Sequence, residues 1–178
     1  MEKLNICGCL LDASIEELPG YLRHPLINLL ELRLDSFVHY KGYQEAAQAL
    51  HTLGTVGRHP VVVTNRPERE GGLFTGTEEQ RIRLLQKAVE SGADWVDLED
   101  DLAEDDLRWF QAADVQILIS HHNFGQTPER ARLRSLVETM AKKGAHAVKI
   151  ATLAQAPEDN LKILESHQHL FRFQISSA

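Results

Sequence analysis

Residues 115–153 read VQILISHHNFGQTPERARLRSLVETMAKKGAHAVKIATL. An apolar run, VQILISHHNF, gives way to an amphipathic stretch from Thr127 to Gly144, and a second apolar run, AHAVKIATL, follows. Short apolar runs flanking a helical pattern predict strand, helix and a second strand parallel to the first. The same alternation extends in both directions. Upstream lie NICGCLL with SIEELPGYL, LLELRLD with YQEAAQALHTL, HPVVVTNR with TEEQRIRLLQKAVESG, and DWVDLE with EDDLRWFQAA. Downstream lie PEDNLKILESH and a closing strand, FRFQISSA. Thr77 is placed to cap its helix and Gly92 to stop it. Pro19 is expected to end or interrupt the first helix.

Strand–helix alternation repeated about seven times predicts a parallel sheet covered by helices. Two layouts compete, an open doubly wound sheet and a (β/α)8 barrel. No G-x-G-x-x-G or Walker-type glycine loop follows a strand, so the nucleotide-binding folds lack their fingerprint. The barrel is preferred, as one domain over residues 1–178. A complete barrel takes about 250 residues. The expectation is therefore an incomplete (β/α)8 barrel, with the last strand and last two helices without a counterpart.

Composition excludes several roles. The net charge is -7, which disfavours nucleic acid and anionic membranes as partners. No apolar run approaches the 18 or so residues of a membrane span, and the start does not read as a signal peptide, so a cytoplasmic location is expected. Cys7 and Cys9 share one face of the first strand and read as two small buried apolar residues. Nothing near them is spaced to complete a zinc site.

Charge on strands that should be buried is the informative departure. Period two places Leu30, Leu32 and Leu34 on one face and Glu31, Arg33 and Asp35 on the other. Charges facing a barrel interior must pair or meet a polar ligand. Arg66 continues directly from VVVT and suits a fork around a carboxylate or hydroxyls. Glu68 and Arg69 read as a solvated turn. Asp97 and Glu99 share a face, and the acidic run after them favours a solvated reading. Ser120 and His122 share a face that His121 does not, and histidine is the usual general acid or base near neutrality. Lys149 opposes Val148 and Ile150. It either reaches water from a strand end or points inward, where lost hydration favours a neutral amine able to attack a ketone.

Taken together, ELRLD at 31–35, TNRPEREGG at 64–72, DLE at 97–99, ISHHNF at 119–124 and VKIA at 148–151 resemble the type I 3-dehydroquinate dehydratase family of the shikimate pathway. The resemblance implies a (β/α)8 barrel, commonly a homodimer, needing neither metal nor organic cofactor. It implies dehydration of 3-dehydroquinate to 3-dehydroshikimate. Lys149 resembles the Schiff-base lysine, His122 the catalytic histidine, and Glu70 the acid that orients that histidine. Glu31, Arg33 and Arg66 resemble residues that hold the substrate's polar groups. The family continues beyond the strand that FRFQISSA resembles, with an arginine for the substrate carboxylate and a mobile lid carrying serine and glutamine. Alternatives are a weakened or inactive relative that binds such a ligand as a sensor, and a class I aldolase, against which the SHHNF and EREGG context speaks.

Overall fold

The computed structural model describes residues 6–56 and 59–170, the side chains of residues 167–170 excepted. The expected strand FRFQISSA lies outside the described residues. Two compact units divide the chain, one of Met1–Asp97 with Leu102–Gln116 and one of Leu98–Asp101 with Ile117–Ala178.

In the first unit, β1 (Cys7–Leu10), β2 (Leu29–Arg33), β3 (Val61–Thr64) and β4 (Trp95–Glu99, whose last two residues belong to the second unit) pair in chain order and in parallel. The VVVT strand is buried at all four positions, as a strand covered on both faces should be. Its helices are α1 (Leu18–Tyr21), α2 (Leu34–Thr55), α3 (Glu78–Glu90) and α4 (Glu104–Ala112). Leu30 and Leu32 of β2 pack in the core with Leu18, Phe37, Leu53, Leu85 and Phe110. The boundaries of α3 follow its sequence signals. Thr77 and Gln80 form a reciprocal capping box, and Gly92 takes a left-handed φ of 90° just past the end.

Four expectations are corrected. Pro19 opens the short α1 instead of ending a helix, because a first-turn residue needs no N–H donor. Strand β2 stops at Arg33, so Asp35 is not a strand residue. It occupies the first turn of α2, where the helix dipole favours a carboxylate. Helix α2 thereby begins well before the amphipathic stretch and is broken at Gly42, whose φ of 86° and ψ of 173° are not helical. Cys7 and Cys9 are exposed. Among the described residues β1 pairs only with β2. Asp97 and Glu99 are buried, at 0% and 1% exposure, and the solvated reading does not hold for them. It does hold for Glu68 and Arg69.

In the second unit, β5 (Gln116–Asn123) and β6 (Ala147–Thr152) pair in parallel, from Leu118 with Ala147 to Asn123 with Thr152. Helix α5 (Arg130–Lys142) buries Leu133, Leu136, Val137 and Met140. Helix α6 (Pro157–Leu170) is tied to it by Arg130 with Glu165 and by Lys162 with Glu129. Among the described residues no helix is long and apolar enough to cross a membrane.

Candidate active site

Parallel pairing places register partners on one face of a sheet. In the first unit that rule puts Arg33, Thr64 and Asp97 in one row across β2, β3 and β4, with Glu31 two residues before Arg33. The side chains join. Thr64 donates its hydroxyl to Glu31 Oε1 at 2.8 Å, and Arg66 Nη2 meets Asp97 Oδ2 at 2.5 Å. Arg66 and Asp97 are 2% and 0% exposed, so the pair is buried and its charges offset each other where water cannot. The carboxylate that Arg66 was expected to fork around thus includes one from the chain itself.

Arg33 makes a two-pronged contact with Asp35, Nε to Oδ1 at 2.9 Å and Nη2 to Oδ2 at 2.7 Å. The hydrogen bond to Asp35, followed by the nearby charges of Asp35 and Glu31, holds its guanidinium still more firmly protonated than usual. Asp35 also accepts from the Leu73 N–H at 3.1 Å, which links the end of β2 to the loop after β3. That loop carries Glu70, half-buried, as the last residue of a 3-10 turn, Glu68–Glu70. It closes tightly. Gly72 donates to the Pro67 carbonyl and Phe74 to the Arg66 carbonyl, at 3.0 and 3.1 Å. A Cβ on Gly72 would sit 2.0 Å from the Arg66 carbonyl oxygen, so only glycine fits. Behind the loop, Arg81 of α3 donates to the Asn65 carbonyl and holds Glu78 with Nη2 at 2.6 Å, fixing the backbone beside Arg66.

The second unit supplies His122 and Lys149. Ser120 is in register with Lys149, and His122 with Ala151. Ser120, His122, Lys149 and Ala151 therefore share one face, whereas Ile119, His121, Val148 and Ile150 share the other. His122 lies one strand over and one same-face position beyond Lys149. Both are half-buried, so Lys149 is neither sealed in nor free in water. Ser120 is fully buried and its hydroxyl donates to the Leu98 carbonyl at 3.4 Å. The His122 ring stacks on Phe124, with centroids 6.0 Å apart and planes 18° apart.

The structure thus groups Glu31, Arg33, Arg66 and Glu70 at the ends of β2 and β3 in one unit, and His122 with Lys149 in the other. Asp97 and Asp35 were not singled out as site residues from the sequence. The alternation of Asp97 with Leu98 was the available signal for the first. For Asp35 it was the alternation with Arg33, which it meets two residues away, although its contact with the Leu73 N–H, 38 residues away, left no signal. Among the described residues no three His, Cys, Asp or Glu side chains are grouped to hold a metal ion.

Residues 11–174 match the family model described as type I 3-dehydroquinase. The chain is 48% identical over 160 residues to the 3-dehydroquinate dehydratase of Syntrophobacter fumaroxidans, covering 90% of this chain and 68% of that protein. It is 38% identical over 137 residues to the 3-dehydroquinate dehydratase of Methanopyrus kandleri, covering 76% of this chain and 60% of that protein. The chain thus spans about two thirds of the length of these relatives. Among solved structures, the 3-dehydroquinate dehydratase of Geobacillus kaustophilus superposes with a TM-score of 0.84 at 26% identity, over 97% of this chain and 71% of that one.

Proposed function

Because the chain belongs to the type I 3-dehydroquinase family, with an incomplete (β/α)8-barrel fold, we propose that it dehydrates 3-dehydroquinate to 3-dehydroshikimate through an imine on Lys149. The single observation that supports this reading best is the register that gives His122 and Lys149 one face. An amine and an imidazole on adjacent strands can address a ketone and the carbon next to it.

The steps follow from ordinary carbonyl chemistry. The neutral amine of Lys149 adds to the ketone, and loss of water leaves a protonated imine. That cation is an electron sink, so the proton on the adjacent carbon becomes acidic. His122 takes this proton as general base, and the electrons move into an enamine. The enamine expels the β-hydroxyl as water, with protonated His122 returning its proton to the leaving oxygen. Water then hydrolyses the conjugated imine, releasing product and the Lys149 amine. The imine itself does the electronic work, so the reaction needs neither metal nor organic cofactor. Acid–base assistance by His122 contributes about 10²–10⁴-fold.

Glu70 orients His122 in this reading. Glu31, Arg33 and Arg66 hold the substrate's hydroxyls and neighbouring polar groups. Thr64 and Asp97, which touch Glu31 and Arg66, keep those two in place before substrate arrives. The reaction belongs to the shikimate route to aromatic amino acids, and we assign the enzyme to the cytoplasm as a homodimer.

Incubation with dehydroquinate and borohydride, followed by intact and peptide mass measurement, tests the reading. A reduced adduct on Lys149, absent from Lys149→Ala, is expected, together with the ultraviolet absorbance of a conjugated product. Well-folded protein that forms no adduct refutes it. An adduct without turnover assigns the chain to the ligand-binding alternative. His122→Ala should slow turnover while retaining imine formation.

A further inference from the structure

Asp100 directly follows β4, and none of the chemistry above uses it. It reaches three places in the second unit. Its backbone N–H donates to the Ser120 carbonyl at 2.9 Å. Its Oδ2 lies 3.1 Å from Nδ1 of His121, the carboxylate accepting. Its carbonyl accepts from the Lys143 ammonium just beyond α5. The side chains of His121 and Asp100 are 20% and 23% exposed, which leaves the pair only partly screened by water.

His121 points away from the face of Ser120 and His122, because neighbours on a strand alternate. It is not directed at anything that His122 can reach on that face. What its bond to Asp100 does is anchor the backbone on the N-terminal side of His122. The C-terminal side is anchored as well. The Asn123 carbonyl accepts from the Leu153 N–H at 2.9 Å. The Asn123 side-chain oxygen accepts from the N–H groups of Gly125 and Gln126 at 3.0 and 3.1 Å. Phe124, on that turn, lies against the His122 ring. His122 therefore projects from a peptide held at both ends, and Asp100 is the side chain that holds one of them.

We propose that Asp100 is a positioning residue for His122, acting through His121. The proposal rests on the imine reading only for its kinetic readout. An imidazole that must meet a proton at hydrogen-bond distance is sensitive to placement, and a 1 Å error costs on the order of 10²-fold. Asp100→Ala removes the acceptor for His121 but leaves the backbone bonds to Ser120 and Lys143 possible. A smaller drift, and a loss of about tenfold, is the expected consequence.

The test compares the unaltered chain with Asp100→Ala, Asp100→Asn and His121→Phe. Three quantities are read: the thermal midpoint, the ¹H–¹⁵N correlations of the His122 ring, and kcat and KM beside borohydride trapping on Lys149. Asp100→Ala should shift or broaden the His122 signals and lower kcat about tenfold, with KM and trapping within about twofold. Asp100→Asn, whose amide oxygen still accepts from Nδ1–H, should restore most of both. Where Asp100→Ala does not fold, His121→Phe carries the same expectation, since it keeps a ring and loses the nitrogen. Unchanged His122 signals overturn the proposal, as does an equal loss in Asp100→Asn and Asp100→Ala. The ring spectrum requires no substrate. A chain that forms no adduct therefore defeats the imine reading, while the spectrum still decides the role of Asp100.

Discussion

Asp97→Ala removes the carboxylate that Arg66 contacts and leaves the guanidinium in place. Arg66 Nη2 and Asp97 Oδ2 are 2.5 Å apart, and the two residues are 2% and 0% exposed. Taking one partner from a buried ion pair costs about 3–5 kcal/mol, because the remaining charge stays dehydrated with less to offset it. For a chain of this size each kcal/mol corresponds to about 2–4 °C of melting midpoint, so the midpoint should fall by roughly 6–20 °C. The double replacement Arg66→Met with Asp97→Leu should recover most of that loss, since the penalty lies in the stranded charge and not in a lost attraction. Thermal melts and urea titrations followed by circular dichroism on the unaltered chain, the single and the double variant give the comparison. A loss below about 1 kcal/mol for Asp97→Ala, the value of a solvated pair, would refute the argument. So would a double variant no more stable than the single one.

Three further outcomes are expected. Gly72→Ala should open the loop after β3, because the methyl group cannot share space with the Arg66 carbonyl. Breaking the two loop hydrogen bonds costs on the order of 2 kcal/mol, and turnover should fall further than stability, by about 10²-fold if Arg66 and Glu70 both move. Urea titration and the ultraviolet assay measure the two, and a silent Gly72→Ala contradicts the geometry. Thr77→Ala removes one half of the capping box of α3 and should cost about 0.5–2 kcal/mol, read by urea titration. The first turn of α6 and its pairing with α5 should weaken in acid. The Arg130 hydrogen bond and charge hold the Glu165 carboxyl below its usual value, and the Gln155 N–H and then Lys162 do the same for Asp159. A carboxyl depressed by folding stabilises the fold above its unfolded value, and that contribution disappears as pH falls through the folded value. Amide exchange in α6 should therefore accelerate, relative to α3, as pH is lowered through the ordinary carboxylate range and beyond. Equal behaviour of the two helices would contradict this.

Much of this arrangement is legible in the chain because period two is a local rule. It put His122 with Ser120, set Lys149 opposite Val148 and Ile150, and separated the leucines of β2 from Glu31 and Arg33. It failed where the answer depended on distant partners. Asp35 looked like a further strand charge, but the strand gives way to a helix at Leu34 and the carboxylate serves Arg33 and the Leu73 N–H. Asp97 and Glu99 stand beside an acidic run, which suggested water. For Asp97 the burial goes with its register partner Thr64 on β3 and with Arg66, which arrives from 31 residues away. Cys7 and Cys9 failed in the other direction. Apolar neighbours in sequence do not guarantee a covered face, and among the described residues only β2 adjoins β1.

The pairing of β5 with β6 has a consequence for chemistry as well as for packing. All six residues of β6 are half-buried, so no contrast between its faces dictates how the strand should be aligned. Alignment comes instead from its two ends. His146 and Ile117 exchange hydrogen bonds at the start, through the Ile117 N–H to the ring nitrogen and the His146 N–H to the Ile117 carbonyl, and the Leu153 N–H meets the Asn123 carbonyl at the finish. A slip of a single residue would preserve the backbone ladder and its hydrogen bonds, yet present Val148 or Ile150 where the amine now stands. The phase of Lys149, the nucleophile proposed above, is thus set by His146 and Asn123, to which the proposed steps give no role.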